Sequence, residues 1–159
     1  MARIIPNQNT WVGFATTVSN IAAPTAAEVT AAINLTPFVI SLNASSQGNV
    51  VPTPSFDTLF ETSIIGTSTA SFTGDFYRDN ASGQDRAWTT LPRTTTGYFI
   101  ITRFGGTGTG RRPTTGDVCE VWPVIVTSRT MANMSNNTVM MFTATCSVPQ
   151  EPNEAATVA

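Results

Sequence analysis

The sequence predicts a mainly β protein, a β-sandwich or partial barrel with one or two short α-helices. Several strand-like segments are separated by Gly, Pro and Asn, and only two short stretches have helical patterns. The 159 residues, 41% of them hydrophobic, are enough for one domain with a buried core. We expect that domain over residues 1–148, with an N-terminal arm over about residues 1–20 and a flexible C-terminal tail over residues 149–159.

The composition predicts an unusually weakly charged surface. Charged residues make up 11% of the chain, against roughly a quarter in ordinary soluble domains. Thr, Ser and Asn take their place, and β-branched Thr suits a strand whose outer face is wet but not ionic. Soluble monomers usually stay dispersed through charge, so this surface is typical of one covered by neighbouring subunits.

The same composition argues against several classes of function. The chain has no His and its eight basic residues are all Arg, so the usual general base and the commonest metal ligand are missing. A net charge of −2 argues against binding that depends on neutralising phosphates. No apolar run is long enough to span a membrane, and residues 6–9 interrupt any signal-peptide pattern. We expect a non-enzyme without cofactor or metal, made in the cytoplasm.

Two short helices are predicted from local patterns. Thr25 followed by Glu28 is a capping box, in which each side chain can bond a backbone N–H at the helix start. This first helix must end before Pro37, which disfavours helical geometry in the residue before it. Residues 80–91 predict a second helix, with Ser82 as a possible cap.

The strand pattern is clearest in residues 68–77, where apolar or small residues alternate with polar ones. Residues 1–20 look extended and predict either a terminal strand or an arm. The other predicted strands cover residues 38–42, 56–65, 97–104, 118–128 and 137–148.

The last two predicted strands can be registered as a hairpin. If the loop is centred near residues 131–134, opposed residue numbers sum to about 265, and Cys119 lies opposite Cys146. Two interpretations follow. The cysteines are either two small buried thiols or a cross-strand disulfide that forms once particles leave the reducing cytoplasm.

Two other segments suggest ligand sites but lack the required pattern. The glycine-rich segment 105–113 has no Lys and no Ser or Thr opening a helix, so it predicts a flexible hairpin or inter-subunit loop rather than a phosphate site. Asp75, Asp79 and Asp85 lack the ligand spacing and the terminal Glu of a calcium loop. We interpret these acids as solvated turn residues.

Several motifs, taken in order, resemble one family. The resemblance covers roughly residues 20–148 and is to the major tail tube proteins of long-tailed phages of actinobacteria. The segments that carry it are Pro24–Ala31 with Asn34–Thr36, Phe60–Thr62 with Gly66–Thr67, Gly97–Arg103, and Gly116–Val124.

The resemblance implies a β-sandwich flanked by a helix, assembled as hexameric rings that stack into a hollow tube. It implies a virion tail in which genomic DNA passes through the tube without specific binding. The implied partners are further copies of the chain, the tape measure, the tail terminator and the distal tail protein.

Five residues are assigned expected places in such a tube. A DNA conduit should not hold phosphate, so we expect Glu61, Asp75 and Glu120 to face the lumen. The alternative is that these acids lie on the outer wall or between rings. Arg111 and Arg112 are expected to contact a neighbouring ring.

Two other functions remain open at this point. One is a capsid decoration or accessory β-sandwich protein of the virion, and the other is a carbohydrate-binding module. The module should expose a row of aromatic residues, yet Trp11, Trp88 and Trp122 fall in an arm, a helix and a strand. A tube protein should form long uniform tubes, whereas a decoration protein would form small oligomers.

Overall fold

The computed structural model describes residues 9–54, 56, 60, 62–81 and 83–159. The strands within them are β1 Trp11–Ala15, β2 Ile33–Asn34, β3 Val39–Thr53, β4 Thr62–Tyr77, β5 Thr96–Thr102, β6 Val118–Met131, β7 Met141–Ser147 and β8 Asn153–Thr157. The helices are α1 Ala26–Ala31 and α2 Arg86–Thr90, with short 3₁₀ turns at Thr36–Phe38 and Thr109–Arg111.

All strand pairs are antiparallel, and together they form one curled sheet. The order is β2-β1-β5-β6-β7-β4-β3, with β8 paired to the edge of β6. Strands that are not neighbours in this order still touch: Phe72 of β4 stacks on Phe99 of β5 with ring centroids 4.4 Å apart. The sheet therefore wraps around its own core as an open partial barrel, and the predicted fold class is confirmed.

An aromatic cluster fills the inside of the curl. Phe99 is fully buried and contacts Phe14 edge-on at 5.3 Å between ring centroids, besides its stack with Phe72. Phe76 stacks on Phe142 at 5.4 Å. Offset and edge-on contacts of this kind stabilise beyond the apolar area that they bury.

Strand β6 is buried on both faces. Trp122, Val124 and Val126 pack into the aromatic cluster, whereas Cys119 and Val121 pack into a second apolar cluster under α1 and β8. A strand covered on both sides reads as a continuous apolar run and carries no period-two pattern.

That double burial explains why the predicted register is wrong although β6 and β7 do pair. Cys146 lies opposite Val126, seven residues along β6 from the expected Cys119, and Met131 lies opposite Phe142. Strand β6 continues to Met131, so the turn is centred later than predicted. A β-bulge between Val126 and Ser128 shifts the register again.

The prediction of a flexible C-terminal tail is also wrong. Strand β8 pairs with β6, where Cys119 lies opposite Ala156. Ala156 and Val158 are buried in the second cluster. The Ala159 carbonyl accepts a hydrogen bond from the Ala26 N–H at 3.0 Å, which joins the end of the chain to the start of α1.

At the other end of the chain, β1 belongs to the sheet. All five of its residues are buried, and it pairs with β5. Of the two alternatives for residues 1–20, the terminal strand is confirmed at Trp11–Ala15 and the arm is wrong there, while residues 1–8 lie outside the described residues.

The first helix follows the sequence prediction closely. Thr25 accepts a hydrogen bond from the Glu28 N–H at 3.2 Å, and Glu28 accepts one from the Thr25 N–H at 2.8 Å, so the capping box is confirmed. The second helix is shorter than predicted, since α2 covers five residues and Ser82 lies outside the described residues.

Helix α2 is held against the sheet by Trp88. Its ring lies between two guanidinium groups, with the Arg78 carbon 4.0 Å and the Arg129 carbon 3.7 Å from the ring centroid. Arg78 also forms an ion pair with Asp85 at 2.7 Å. Stacked cations of this kind stabilise the aromatic face by about 0.5–2 kcal/mol.

Strands β3 and β4 form a hairpin much longer than the body of the sheet. Only Ser71–Tyr77 of β4 pair with β7, so the rest of the hairpin has no neighbouring strand among the described residues. We call residues 48–53 and 62–68 the distal hairpin. All of them are exposed, including Val50, Val51, Ile64 and Ile65.

Candidate functional site: a hydroxyl-bearing sheet face

The outer face of β3, β4, β7 and the far end of β6 is almost entirely neutral and polar. We call it the hydroxyl face. Its members, set by strand alternation and the observed registers, are Ser41, Asn43, Ser45, Gln47, Thr69, Ser71, Thr73, Asp75, Ser128, Thr130, Thr143, Thr145 and Ser147.

This face exists because the inner face of the same strands is needed for the core. Phe72, Phe76 and Phe142 point inward, so the residues between them point outward. Thr, Ser and Asn make that outward surface wet without ionic charge. Asp75 is the one charged member of the set.

Asp75 lies in the row of the face that is nearest the β6–β7 turn, and it is held by two hydroxyl groups. Ser41 Oγ donates to one carboxylate oxygen at 2.6 Å and Thr143 Oγ1 donates to the other at 2.6 Å. The hydrogen bond from Ser41, followed by that from Thr143, lowers the pKa of Asp75. The carboxylate therefore remains charged at neutral pH.

The hydroxyl face ends at two strand edges without partners among the described residues. Strand β3 pairs with β4 on one side only. On the opposite side of the face, β6 pairs with β5 no further than Ile125, so Ser128–Met131 pair only with β7. Unpaired strand edges are templates for pairing with another chain.

Glu120, which was expected to face the lumen as Asp75 was, lies on the face of its strand opposite to the hydroxyl face. It forms an ion pair with Arg103 and accepts a hydrogen bond from Trp122 Nε1 at 3.0 Å. The structure thus does not bring Glu120 together with Asp75. Glu61 lies outside the described residues.

The segment around Arg111 and Arg112 is not the flexible loop that its glycines suggest. Asp117 accepts four hydrogen bonds, from the backbone N–H and the hydroxyl of both Thr107 and Thr114, at 2.8–3.3 Å. Those bonds, led by the backbone N–H groups, lower the pKa of Asp117. Arg111 is exposed, and its expected contact with another ring stays a prediction.

The two cysteines are free thiols in different apolar clusters, so the cross-strand pair is wrong. Burial raises the pKa of Cys146 to about 12. Burial, together with the charges of Asp117 and Glu120, raises the pKa of Cys119 to about 11. Since the thiolate is the reactive form, both cysteines are inert near neutral pH.

Within the described part of the chain, no group of three or more His, Cys, Asp or Glu side chains is arranged to hold a metal ion. Among the same residues, no helix is long and apolar enough to cross a membrane. What the described residues offer is a broad hydroxyl surface bordered on each side by an unpaired strand edge.

A curled sheet with open strand edges and a weakly charged face is typical of a structural protein that associates with other chains. The family model described as phage tail tube protein matches residues 1–159, and the chain belongs to this family. Members of the family are structural proteins of virion tails. No curated protein sequence matches the chain.

Solved structures share the fold at low sequence identity. One is the tail of an empty gene transfer agent particle refined with C6 symmetry: TM-score 0.60, 12% identity, covering 98% of this chain and all of that one. Another is the sheath/tube terminator of an extracellular contractile injection system: TM-score 0.61, 11% identity, covering 94% and 95%. A third is the baseplate of the anti-feeding prophage: TM-score 0.55, 13% identity, covering 98% of each chain.

The sequence located part of this site. The alternation in residues 68–77 placed Asp75 and its Thr and Ser neighbours on one polar face. The partners of that face on β3 and β7 could not be found, because their registers depend on bulges and on a turn of unknown length. The abundance of Thr was the available signal for the whole surface.

Proposed function

We propose that this chain is the subunit of a phage tail tube, built from stacked hexameric rings, and that the hydroxyl face lines the lumen. The observation that carries the proposal is a hydroxyl face bounded by an unpaired strand edge on each side. Such a sheet can be extended by copies of itself until the ring closes, and closure pairs both of these edges.

The chemistry of the hydroxyl face suits the passage of DNA. Phosphates bind proteins mainly through Lys and Arg, and the face contains neither. Its hydroxyl groups are engaged in part with one another, as in the Ser45–Ser71 contact at 2.9 Å. Asp75 adds one negative charge per subunit, which repels phosphate at close range.

Ring closure would join the β3 edge of one copy to the Ser128–Met131 edge of the next. Both edges border the same face, so pairing them continues the hydroxyl face without a break. Backbone hydrogen bonds supply the affinity in this mode of strand addition.

The finer features of the proposal rest on the resemblance. We place the protein in the tail of a long-tailed phage of actinobacteria, made in the host cytoplasm and assembled with the tape measure, tail terminator and distal tail protein. Genomic DNA passes through without specific binding. Arg111 and Arg112 are proposed to contact a neighbouring ring.

Pairs of engineered cysteines test ring closure. On the hydroxyl face, Asn43, Ser45 or Gln47 of one copy would lie beside Ser128 or Thr130 of the next. We expect at least one double variant from this panel, such as Ser45→Cys with Thr130→Cys, to form intersubunit disulfides under mild oxidation. Denaturing gels should show a ladder that ends at six subunits, because the contact closes on itself.

The matched controls are the single-cysteine variants, which can give at most dimers. The native cysteines do not interfere, since both are buried thiols with raised pKa values. Negative-stain microscopy of the unmodified protein should show hollow tubes of uniform width. Material that remains monomeric at high concentration, with no ladder from any pair, would contradict the proposal.

A further inference from the structure

The connection between β6 and β7 concentrates the methionines of the chain. We call residues 131–141 the methionine turn. It contains four of the five methionines, and the fifth is Met1. A turn that needed only apolar surface could use Val, Ile or Leu, which supply such surface elsewhere in the chain. Methionine adds a polarisable thioether sulfur, so the turn gathers four soft sulfur atoms in a short segment.

Hydrogen bonds fold the two arms of the methionine turn towards each other. At its base, the Ala132 N–H donates to the Met141 carbonyl at 3.0 Å. At its tip, the Thr138 N–H donates to the Ser135 carbonyl at 3.3 Å, and the hydroxyl groups of these two residues lie 2.6 Å apart. The turn is therefore fixed at both ends, and the methionines that precede the tip are brought close to those that follow it.

All four methionines of the turn line one cavity of about 140 Å³. The rest of its lining is uncharged and consists of Ala132, Asn133, Ser135, Thr138 and Val139. The volume exceeds the roughly 30 Å³ that one water occupies in the liquid, so the cavity has room for an ion. Met134 is 79% exposed, which leaves the cavity accessible from solvent.

The surroundings of the cavity determine which sulfur atoms and which ions suit it. Met131 Sδ accepts a hydrogen bond from Arg78 Nη1 at 3.5 Å, so this sulfur faces a cation already. The sulfur atoms of Met134, Met140 and Met141 remain as ligands. No charged residue occurs in the turn. Mg²⁺ and Ca²⁺ bind mainly through carboxylate oxygens, whereas thioether sulfur selects Cu(I).

We propose that the methionine turn binds one Cu(I) ion through Met134, Met140 and Met141. Three neutral, soft donors on a turn that is closed by its own hydrogen bonds match the ligand preference of this ion. The site lies within one subunit and needs no neighbouring copy. It therefore goes beyond the proposed tube function and does not depend on it.

Titration of the unmodified protein with Ag(I), a soft probe of the same charge that is stable in air, tests the site. Native mass spectrometry should show one ion per chain, and Cu(I) under oxygen-free reducing conditions should compete for it. Met134→Leu/Met140→Leu should weaken binding at least about tenfold, because leucine keeps the volume and apolarity but lacks sulfur. Val139→Leu, on the same cavity, is the matched control and should bind normally.

A second control concerns the buried thiols, which are the other soft ligands of the chain. Cys119→Ala/Cys146→Ala should still bind one Ag(I) ion, because both cysteines are buried outside the turn. Loss of the ion in this variant, with a circular dichroism spectrum that shows a folded chain, would assign the binding to the cysteines and overturn the inference.

Labelled methionine methyl groups show directly which sulfur atoms bind. In NMR spectra, Ag(I) should shift the methyl signals of Met134, Met140 and Met141, and that of Met131 should move least. Undiminished binding in Met134→Leu/Met140→Leu would overturn the inference, as would displacement of Ag(I) by an equal concentration of Ca²⁺, which takes oxygen ligands. A chain that binds Ag(I) but forms no hexamers would support this site and count against the proposed function alone.

Discussion

The two halves of β4 show two ways in which one strand can be stabilised. From Ser71 to Tyr77 the strand has β3 on one side and β7 on the other, and its inner side chains pack in the aromatic cluster. From Thr62 to Thr69 every residue is exposed, and only β3 pairs with it. The first half is stabilised by its own chain, whereas the second leaves its apolar residues exposed.

The largest expected effect contrasts a buried residue with an exposed one on this strand. Phe76→Ala removes a fully buried ring that stacks on Phe142, and should lower the free energy of unfolding by about 3–5 kcal/mol. Ile65→Ala in the distal hairpin should change it by less than about 0.5 kcal/mol in the isolated subunit. Urea denaturation below the concentration for assembly measures both, and similar losses would refute the contrast.

The prediction of intermediate size concerns how stability depends on pH at α1, away from the hydroxyl face. Hydrogen bonds from Ser19, followed by that from the Thr25 N–H, lower the pKa of Glu28 to about 2, from an ordinary value of 4.5. Because the folded-state pKa is the lower one, this stabilisation is present above pH 4.5 and is lost as the pH falls towards 2. Glu28→Gln should make the melting temperature depend less steeply on pH between pH 4.5 and 2. An unchanged slope would show that other carboxylates, such as Asp117, dominate.

The smallest expected effect concerns the hydroxyl face itself. Ser71→Ala removes an exposed hydrogen bond to Ser45, and should change the free energy of unfolding of the isolated subunit by less than about 0.5 kcal/mol. Thermal melts of the variant and of Thr69→Ala, an exposed neighbour on the same face, should coincide. A loss above 1 kcal/mol would mean that this face stabilises the fold as well as forming a surface.

The sequence predicted those elements whose signals are local. The capping box at Thr25 and Glu28 involves four adjacent residues, and the alternation in residues 68–77 records one buried and one wet face. Both features depend only on neighbours in the chain, so they could be read without knowing the rest of the fold.

The predictions that the structure contradicts share a different cause, since each concerns contacts between distant segments of the chain. Strand β6 lost its alternation because it separates two apolar clusters, and so its register with β7 could not be read. Strand β8 is short and polar in composition, and only the free edge of β6 and the space beside α1 bury Ala156 and Val158. The glycine-rich segment 105–113 suggested flexibility, yet Asp117, four residues beyond it, holds it in place.

The position of Trp88 has a practical consequence. Trp11 and Trp122 are buried in the two clusters, whereas Trp88 is half-buried between Arg78 and Arg129. Arg78 also donates a hydrogen bond to the sulfur of Met131, the last residue of β6. Trp88 is therefore the tryptophan whose fluorescence should respond to a change in the surroundings of this end of the sheet, which offers a label-free optical signal for following assembly of the proposed tube.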